Sequence, residues 1–203
     1  MVSNVIQQYL PAHWTNMRYC YEDYELVELP PHSTEYRTLS SRVNGTFNLG
    51  THKIARVQNP YLYTQFLLKK EEYATRGHVN VCELYHDTAE HKIDSIISGN
   101  LDWRLASRVK YGKGVSFSPS PSYANQESSR ANGTDRAMVV ADVLLGKLEI
   151  VSGCKELPTN GYDTTIGNCG QVYVKYYDNE FYPKFIVYYK SRLPRVNRRR
   201  YYK

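Results

Sequence analysis

Residues 83–88 read Glu-Leu-Tyr-His-Asp-Thr, and residues 111–117 read Tyr-Gly-Lys-Gly-Val-Ser-Phe. The first stretch closes a mainly apolar run, residues 79–85, that predicts a buried strand. His86 then stands at the end of that strand, and Thr88 is a candidate N-cap for the helix that follows. The second stretch opens with a glycine-rich turn and predicts a short strand. The two stretches together hold the first candidate functional residues.

The rest of the chain reads as short helices alternating with strands. Asn59 is a natural N-cap and Pro60 suits the first helical position, so a helix is predicted to start there and to end at Gly77. Residues 171–177 and 181–189 are predicted to close the fold as a hairpin-like pair. Many strands with helices at their edges indicate an α+β domain. A chain of 203 residues is long enough for one such domain with a buried core.

Three further segments extend the pattern and point to a known family. Residues 54–60 read Ile-Ala-Arg-Val-Gln-Asn-Pro, residues 100–104 read Asn-Leu-Asp-Trp-Arg, and residues 182–186 read Tyr-Pro-Lys-Phe-Ile. With the two stretches above, they resemble the catalytic domain of the poly(ADP-ribose) polymerase (PARP) family over roughly residues 12–190. The resemblance is nearest to the mono-ADP-ribosylating branch that includes TIPARP and the zinc-finger antiviral protein. It implies the ADP-ribosyltransferase fold, an α+β domain at residues 1–189 with two packed, mostly antiparallel sheets and flanking helices.

The resemblance also implies an NAD-binding groove between the two sheets. There the family uses a His-Tyr-Glu set to hold the sugar while the nicotinamide leaves. His86 takes the place of the histidine and would bond a ribose hydroxyl, whereas Ser116 replaces the tyrosine and Val172 replaces the glutamate. Mono-transferring members also have an apolar residue at the glutamate position, so we expect no elongation of ADP-ribose chains. Arg104 is a further position of the groove.

Several positions of the implied nicotinamide pocket are changed as well. Asp87 replaces the glycine that follows the histidine in the family, and its side chain is expected to add bulk and negative charge to the pocket. Ala124 replaces a serine, and Glu127 replaces the tyrosine that stacks on the nicotinamide. Thr88 keeps the residue of the family, and Tyr123 is a candidate replacement for the lost ring.

These substitutions leave two interpretations open. In the first, the domain has a degenerate NAD site, is inactive or very weak as an enzyme, and acts as a binding or scaffolding module for a protein partner. The zinc-finger antiviral protein is the precedent in the family for such a site. In the second, the domain is an active mono-ADP-ribosyltransferase that moves ADP-ribose from NAD to a protein or a nucleic acid. NAD is then a substrate, and neither a resident cofactor nor a metal is expected.

The basic charge of the chain is concentrated at its C-terminus. The net charge is +6, and residues 190–203 carry seven Lys and Arg residues and no acid, so the remainder is near neutral. These residues are predicted to form a disordered basic tail. The tail either serves only solubility, or its Arg198, Arg199 and Arg200 contact the phosphates of an RNA.

The spacing of the cysteines and the hydropathy of the chain indicate the cellular compartment to expect. The four cysteines form no Cys-x-x-Cys pair, which favours free thiols in a reducing compartment. Residues 1–14 show no secretory signal, and no apolar run approaches the ~20 residues that span a bilayer. We therefore expect an intracellular protein, cytoplasmic or nuclear, without membrane contact.

Overall fold

The structure, a computed structural model, describes residues 4–15, 17, 23–45, 50–77, 79–106 and 109–191. The predicted RNA contacts at Arg198, Arg199 and Arg200 lie outside the described residues, as does nearly all of the predicted basic tail.

The described ranges contain helices and strands in alternation. The α-helices are α1 (Asn4–Gln7), α2 (Thr34–Asn44), α3 (Pro60–Arg76), α4 (Ile93–Gly99) and α5 (Pro121–Glu127). The strands are β1 (Glu25–Glu28), β2 (Thr51–Gln58), β3 (Asn80–Ala89), β4 (Val115–Phe117), β5 (Asp135–Leu145), β6 (Leu148–Ile150), β7 (Thr164–Gly167), β8 (Val172–Lys175) and β9 (Phe181–Lys190).

The strands form two sheets. The five-stranded sheet has the order β1-β2-β9-β5-β3, and all its strand pairs are antiparallel. The four-stranded sheet has the order β4-β8-β7-β6, and its β6–β7 pair is parallel while its other pairs are antiparallel. The prediction of an α+β fold with two mostly antiparallel sheets and flanking helices is confirmed.

Strand β3 runs past its predicted end. It pairs with β5 along its whole length, so that His86 lies opposite Val139 and Thr88 opposite Ala137. The predicted strand end at His86 and the predicted N-cap at Thr88 are therefore wrong. The partner strand explains this difference, because β5 is eleven residues long and offers ladder hydrogen bonds well beyond the predicted end. Helix α4 begins only after an intervening 3₁₀ turn.

The hairpin predicted for residues 171–177 and 181–189 is also wrong, because β8 and β9 belong to different sheets. The buried carboxylate of Glu180 shapes the connection between them. Its Oε2 accepts hydrogen bonds from the N–H groups of Tyr176 at 3.2 Å and Tyr177 at 3.1 Å. This turn passes the chain from one sheet to the other instead of folding it back within one sheet.

The five-stranded sheet carries a separate core on each face. One face is covered by α4 and β4, whose Ile97 and Phe117 are each 2% exposed. The other face is covered by α2, whose Val43 is fully buried, and by α5 through Ala124. Successive side chains of β3 point into alternate cores, because side chains of a strand alternate between its two faces.

The start of α3 was correctly predicted. The Oδ1 atom of Asn59 accepts hydrogen bonds from the N–H groups of Tyr61 at 3.1 Å and Leu62 at 3.0 Å, and Pro60 occupies the first helical position. The Nδ2 atom of Asn59 donates to the C=O of Ile97 at 2.9 Å. One side chain therefore caps α3 and also attaches it to α4.

A buried ionic cluster fixes the end of β8 against α3. The ammonium of Lys175 is fully buried and lies 3.1 Å from Oδ1 of Asp163 and 3.4 Å from Oε1 of Glu180. It also donates to Oγ1 of Thr164 at 2.8 Å, and the hydroxyl of Tyr73 donates to Glu180. A buried charge is costly unless it is paired, so these groups hold their elements in one arrangement.

Two further findings concern membrane-spanning helices and the cysteines. Within the described ranges, no helix is long and apolar enough to cross a membrane. Cys82, Cys154 and Cys169 are free thiols.

We predict that Asn59→Ala lowers the free energy of unfolding by about 3 kcal/mol. It removes the cap of α3 and leaves the buried C=O of Ile97 without its donor. The matched control is Ser33→Ala, because Ser33 caps α2 through the N–H of Tyr36 at 3.1 Å without the second role. The control should cost only about 1 kcal/mol. Urea unfolding of both variants checks this, and equal losses would contradict the proposed attachment of α3 to α4.

Candidate functional site

The two sheets meet where β3 passes the end of β4. The N–H of Tyr85 donates to the C=O of Ser118 at 2.8 Å, and the N–H of Ser118 donates to the C=O of Tyr85 at 2.9 Å. His86 and Asp87 follow directly along β3. They therefore lie at the junction of the two sheets, where the sequence places the candidate site.

His86 presents a neutral imidazole. Its Nδ1 lies 2.8 Å from the C=O of Ser116, and Nδ1 carries the proton because a carbonyl can only accept. Burial lowers the pKa of this imidazole, although the bond to Ser116 opposes the change. Nε2 is consequently left as a hydrogen-bond acceptor. Such an atom can bond a hydroxyl group, which is the role predicted for His86.

Ser116, the second position of the expected set, and the retained Thr88 differ in their surroundings. Ser116 has an exposed side chain, and its contact with His86 is made by its backbone carbonyl. Thr88 is 4% exposed and lies on the same face of β3 as His86. The structure thus brings His86, Ser116 and Thr88 to one region of the junction.

The side chain of Asp87 lies on the opposite face of β3 from His86. Its Oδ2 lies 2.8 Å from Nη2 of Arg136, and its Oδ1 accepts a hydrogen bond from the hydroxyl of Tyr189. Burial raises the pKa of the Asp87 carboxyl to about 6, while the hydrogen bond from Tyr189 and the charge of Arg136 limit the rise. The carboxyl is therefore mainly ionised at pH 7 and paired with a buried cation. This side chain therefore faces away from His86, because alternate residues of a strand face opposite sides, and its effect on the nicotinamide pocket stays a prediction.

The peptide groups of Asp87 point towards the outer edge of β3. Strand β3 is an edge strand, and backbone groups two residues apart point the same way in an antiparallel strand. Because Tyr85 uses its backbone groups to reach Ser118, those of Asp87 also face the four-stranded sheet and α5. The hydroxyl of Ser128 lies 3.4 Å from the C=O of Asp87 and donates to it. This carbonyl thus already has a donor from the chain itself.

Helix α5 connects the two sheets at the site. Its N-cap Ser120 accepts from the N–H of Tyr123 at 3.3 Å. The side chain of Ala124 packs against the core of the five-stranded sheet, and the hydroxyl of Tyr123 accepts from Nδ2 of Asn168 at 3.0 Å, beside the four-stranded sheet. Glu127 is exposed at the last position of the helix.

Aromatic rings pack around the third position of the expected set. Val172 is 9% exposed and forms a cluster with Val174 and Tyr176, against which the rings of Tyr111 and Tyr123 pack. Tyr123 therefore packs against the cluster that contains Val172. In this position its ring belongs to the packing of the four-stranded sheet.

Three glycines show how tightly this end of the site is packed. A Cβ atom built on Gly112 would lie 1.9 Å from the hydroxyl of Tyr176, and one on Gly167 would lie 2.2 Å from the ring of Tyr111. A Cβ atom on Gly114 would lie 2.1 Å from the C=O of Lys175. The glycine-rich turn singled out in the sequence thus allows close approach of the backbone to the tyrosines and to β8.

Arg104 makes its contacts at the turn between β8 and β9. Its Nη2 lies 2.9 Å from Oδ2 of Asp178 and its Nη1 lies 3.2 Å from Oδ1 of the same carboxylate. Nη1 also lies 3.1 Å from Asp102, and the guanidinium stacks over the ring of Trp103. The charge of Arg104 is therefore balanced by carboxylates of the chain.

The sequence reasoning missed the groups that surround Asp87 and Val172, namely Ser128, Arg136, Tyr189 and Tyr111. Arg136 left a signal in the sequence, because it directly precedes the apolar run of a buried strand and a charge at such a position needs a partner. The other three left no comparable signal, since serine and tyrosine are ordinary residues at helix ends and in strands.

Two open cavities of about 710 and 340 Å³ lie elsewhere in the described part of the chain. The larger is lined by Glu90, His91 and residues 132–135, and the smaller by residues near the N-terminus. Neither has His86 in its wall. Among the described residues there is also no group of three or more His, Cys, Asp or Glu side chains that could hold a metal ion.

Comparison with known proteins agrees with this architecture. A family model described as the poly(ADP-ribose) polymerase catalytic domain matches residues 33–172. Human protein mono-ADP-ribosyltransferase PARP14 is 32% identical over 90% of the chain. Protein mono-ADP-ribosyltransferase PARP12 is 26% identical in its human form and 24% identical in its mouse form, each over 90% of the chain. The matched region includes β3, β4 and α5, which build the site.

The relatives are much longer than the region they share with this chain. The match spans 11% of human PARP14 and 28% of PARP12 from either species. The similarity therefore concerns one domain of those proteins.

We predict that Asp87→Ala and Arg136→Met each lower the free energy of unfolding by about 3–5 kcal/mol, because each leaves one buried charge unpaired. The double variant should regain most of the loss, since it buries neither charge. Urea unfolding of the three variants and of the unaltered domain gives the free energy of interaction between residues 87 and 136.

The matched control for this cycle is Asp135→Ala, which removes an exposed carboxylate that lies 3.6 Å from Lys190. It should cost less than about 1 kcal/mol. Losses that simply add in the double variant would show that Asp87 and Arg136 do not stabilise each other.

Proposed function

The chain belongs to the poly(ADP-ribose) polymerase catalytic-domain family, and on this premise we propose that its mono-ADP-ribosyltransferase-like domain no longer holds NAD. In this proposal the domain acts as a binding or scaffolding module for a protein partner. Its fold is retained while its substrate groove is occupied by its own side chains.

The packing of Tyr111 and Tyr123 against the cluster that contains Val172 carries the proposal. The ADP-ribosyltransferase resemblance places at Val172 a residue that acts on the nicotinamide ribose. Here two rings pack against that cluster, and Gly112 and Gly167 bring the backbone against Tyr176 and Tyr111 with no room for even a methyl group. A ribose would have to displace these rings and open a close-packed cluster.

The substitutions at the nicotinamide end add to this cost. Ser116, Ala124 and Glu127 replace a tyrosine, a serine and the stacking tyrosine expected from the family. A lost aromatic stack costs about 0.5–1.5 kcal/mol and a lost buried hydrogen bond about 1–3 kcal/mol. Together these losses amount to about 3 kcal/mol or more, which corresponds to an affinity weaker by about a hundredfold or more.

His86 supports a second candidate function, an active mono-ADP-ribosyltransferase. Its Nδ1 is fixed by the C=O of Ser116, so that Nε2 remains an acceptor for a sugar hydroxyl. The Asp87 side chain, on the other face of β3, does not obstruct that atom. A polypeptide side chain or a nucleic-acid end would then receive the ADP-ribose.

We predict that isothermal titration of the domain with NAD up to millimolar concentration shows no saturable heat. The physical reason is that the groove at Val172 is closed and the stacking ring is absent. His86→Ala is the matched variant, since any specific binding should be weakened by it. Saturable binding by the unaltered domain that is lost in His86→Ala would reject the proposal.

Activity is tested separately with labelled NAD. We expect no label on the domain or on lysate proteins incubated with it. Labelling that disappears in His86→Ala but persists in His91→Ala, a variant of an exposed histidine, would support the second candidate function. Labelling retained in both variants would not come from the His86 site.

A further inference from the structure

The larger cavity of the described part of the chain lies beside the end of β9. It has a volume of about 710 Å³ and is open to solvent. Its walls come from the 3₁₀ turn that follows β3 and from residues 132–135 at the start of β5. Strand β5 lies between β3 and β9 in the five-stranded sheet, so these walls and the end of β9 meet at one corner of the domain.

Two carboxylates in the walls of this cavity are poorly neutralised. Within the described residues, the carboxylate of Glu90 has neither a hydrogen bond nor an ion pair. The carboxylate of Asp135 lies 3.6 Å from the ammonium of Lys190, and these two side chains are 62% and 79% exposed. An ion pair so open to water contributes little. The ammonium of Lys92 is nearby, but it donates to Oδ1 of Asn132 at 3.1 Å. The two carboxylates can therefore accept further donors.

The backbone leaves the described part of the chain at the wall of this cavity. Lys190 lies opposite Asp135 in the ladder between β5 and β9. The N–H of Ser191 donates to the C=O of Thr134 at 2.8 Å. Thr134 and Asp135 both line the cavity. The segment that follows Ser191 thus starts at the cavity itself.

The alternation of side chains along β9 indicates the face on which position 192 is expected. The hydroxyl of Ser191 donates to Oδ1 of Asn125 at 3.1 Å, so the Ser191 side chain lies on the face that carries α5. Tyr188 packs in the core on the opposite face, and burial and the nearby charge of Glu90 raise the pKa of its hydroxyl to about 12. Because successive side chains of a strand point to opposite faces, Arg192 is expected on the face of Glu90.

Residues 192–203 carry the charge that this cavity can bind. They contain five arginines, one lysine and no acid, which gives them a charge of +6 and leaves the rest of the chain neutral. A guanidinium matches a carboxylate with two parallel N–H donors. Three residues of extended chain span about 10 Å, so the side chains of both Arg192 and Arg195 can reach the cavity from its wall.

We propose that this cavity binds the guanidinium groups of residues 192–203 of the same chain. Arg192 and Arg195 then donate to the two carboxylates in its walls. An occupant from the same chain is favoured because the segment starts at the cavity, which gives it a high effective concentration there. The proposal goes beyond the proposed function and is independent of NAD. While the segment is bound, its arginines are less available to the phosphates of an RNA.

The test uses the full chain of 203 residues and the cavity variant Glu90→Gln/Asp135→Asn. This variant removes both negative charges and keeps the size of both side chains. The matched control is Glu71→Gln/Glu156→Gln, which removes two exposed carboxylates, one on α3 and one between β6 and β7. Both variants have the same net charge, so a difference between them reports the cavity.

The measurement is NMR of the backbone amides at low salt. In the unaltered chain, ¹⁵N relaxation should show that residues 192–195 are restrained. The cavity variant should lower the ratio of bound to released segment by about twofold to fivefold for each carboxylate removed, whereas the control should leave it unchanged. Salt of about 1 M, where the Debye length is about 3 Å, should release the segment of the unaltered chain.

The variant Arg192→Gln/Arg195→Gln tests the same contact from the other side. It leaves the described part of the chain unaltered, so it serves even where the cavity variant does not fold. The amide signals of residues 133–135 should move towards the positions that they take in the unaltered chain at high salt. Signals that stay in place would overturn the proposal.

Three other results would overturn it as well. Residues 192–195 that are as unrestrained in the unaltered chain as in the cavity variant would show a segment that only serves solubility. Equal release in the control variant would show an effect of net charge instead of a site. Release of the segment on dilution of the protein would assign the cavity to the same segment of a second copy.

Discussion

Two hydrogen bonds between the backbones of Tyr85 and Ser118 determine how the two sheets of this domain meet. The placement of His86 and of the Asp87 peptide groups follows from the position of these hydrogen bonds on an edge strand. They place His86 beside the carbonyl of Ser116, which fixes its tautomer, and they orient the peptide groups of Asp87 towards α5. A shift of β3 by one residue would exchange the faces of His86 and Asp87 and dismantle both arrangements.

Different forces hold the protein's own groups in place at the two ends of the site. Around Val172 the packing is apolar and depends on rings packed at close range against glycines. At Asp87 the interaction is electrostatic and depends on a carboxylate and a guanidinium that are both shielded from water. The apolar packing tolerates few changes in side-chain volume, whereas the ion pair tolerates few changes in charge.

Much of this fold was predictable because its signals are local. The cap at Asn59, the proline after it and the apolar run before His86 each act within a few residues, and the structure agrees with them. The expected cap at Thr88 failed because the long partner strand extended β3. The expected hairpin failed because Glu180, a buried acid, turns the chain between sheets.

The directions of the side chains at the candidate site could not be predicted, because they depend on contacts between distant segments. The family resemblance located His86 and Asp87 in the sequence, yet the direction of the Asp87 side chain depends on strand register. Its partners Arg136 and Tyr189 lie on two other strands, far along the chain. No local pattern specifies such a pairing, although the charge of Arg136 beside an apolar strand indicated that a partner was needed.

The ion pair between Asp87 and Arg136 has a consequence for how this sequence can change over generations. A substitution at either position alone leaves an isolated charge in the interior, so the cost of each change depends on whether the other has occurred. A change of Asp87 to an uncharged residue is therefore costly as a single step while Arg136 remains. The pair makes the effect of mutations at these two positions depend on their order.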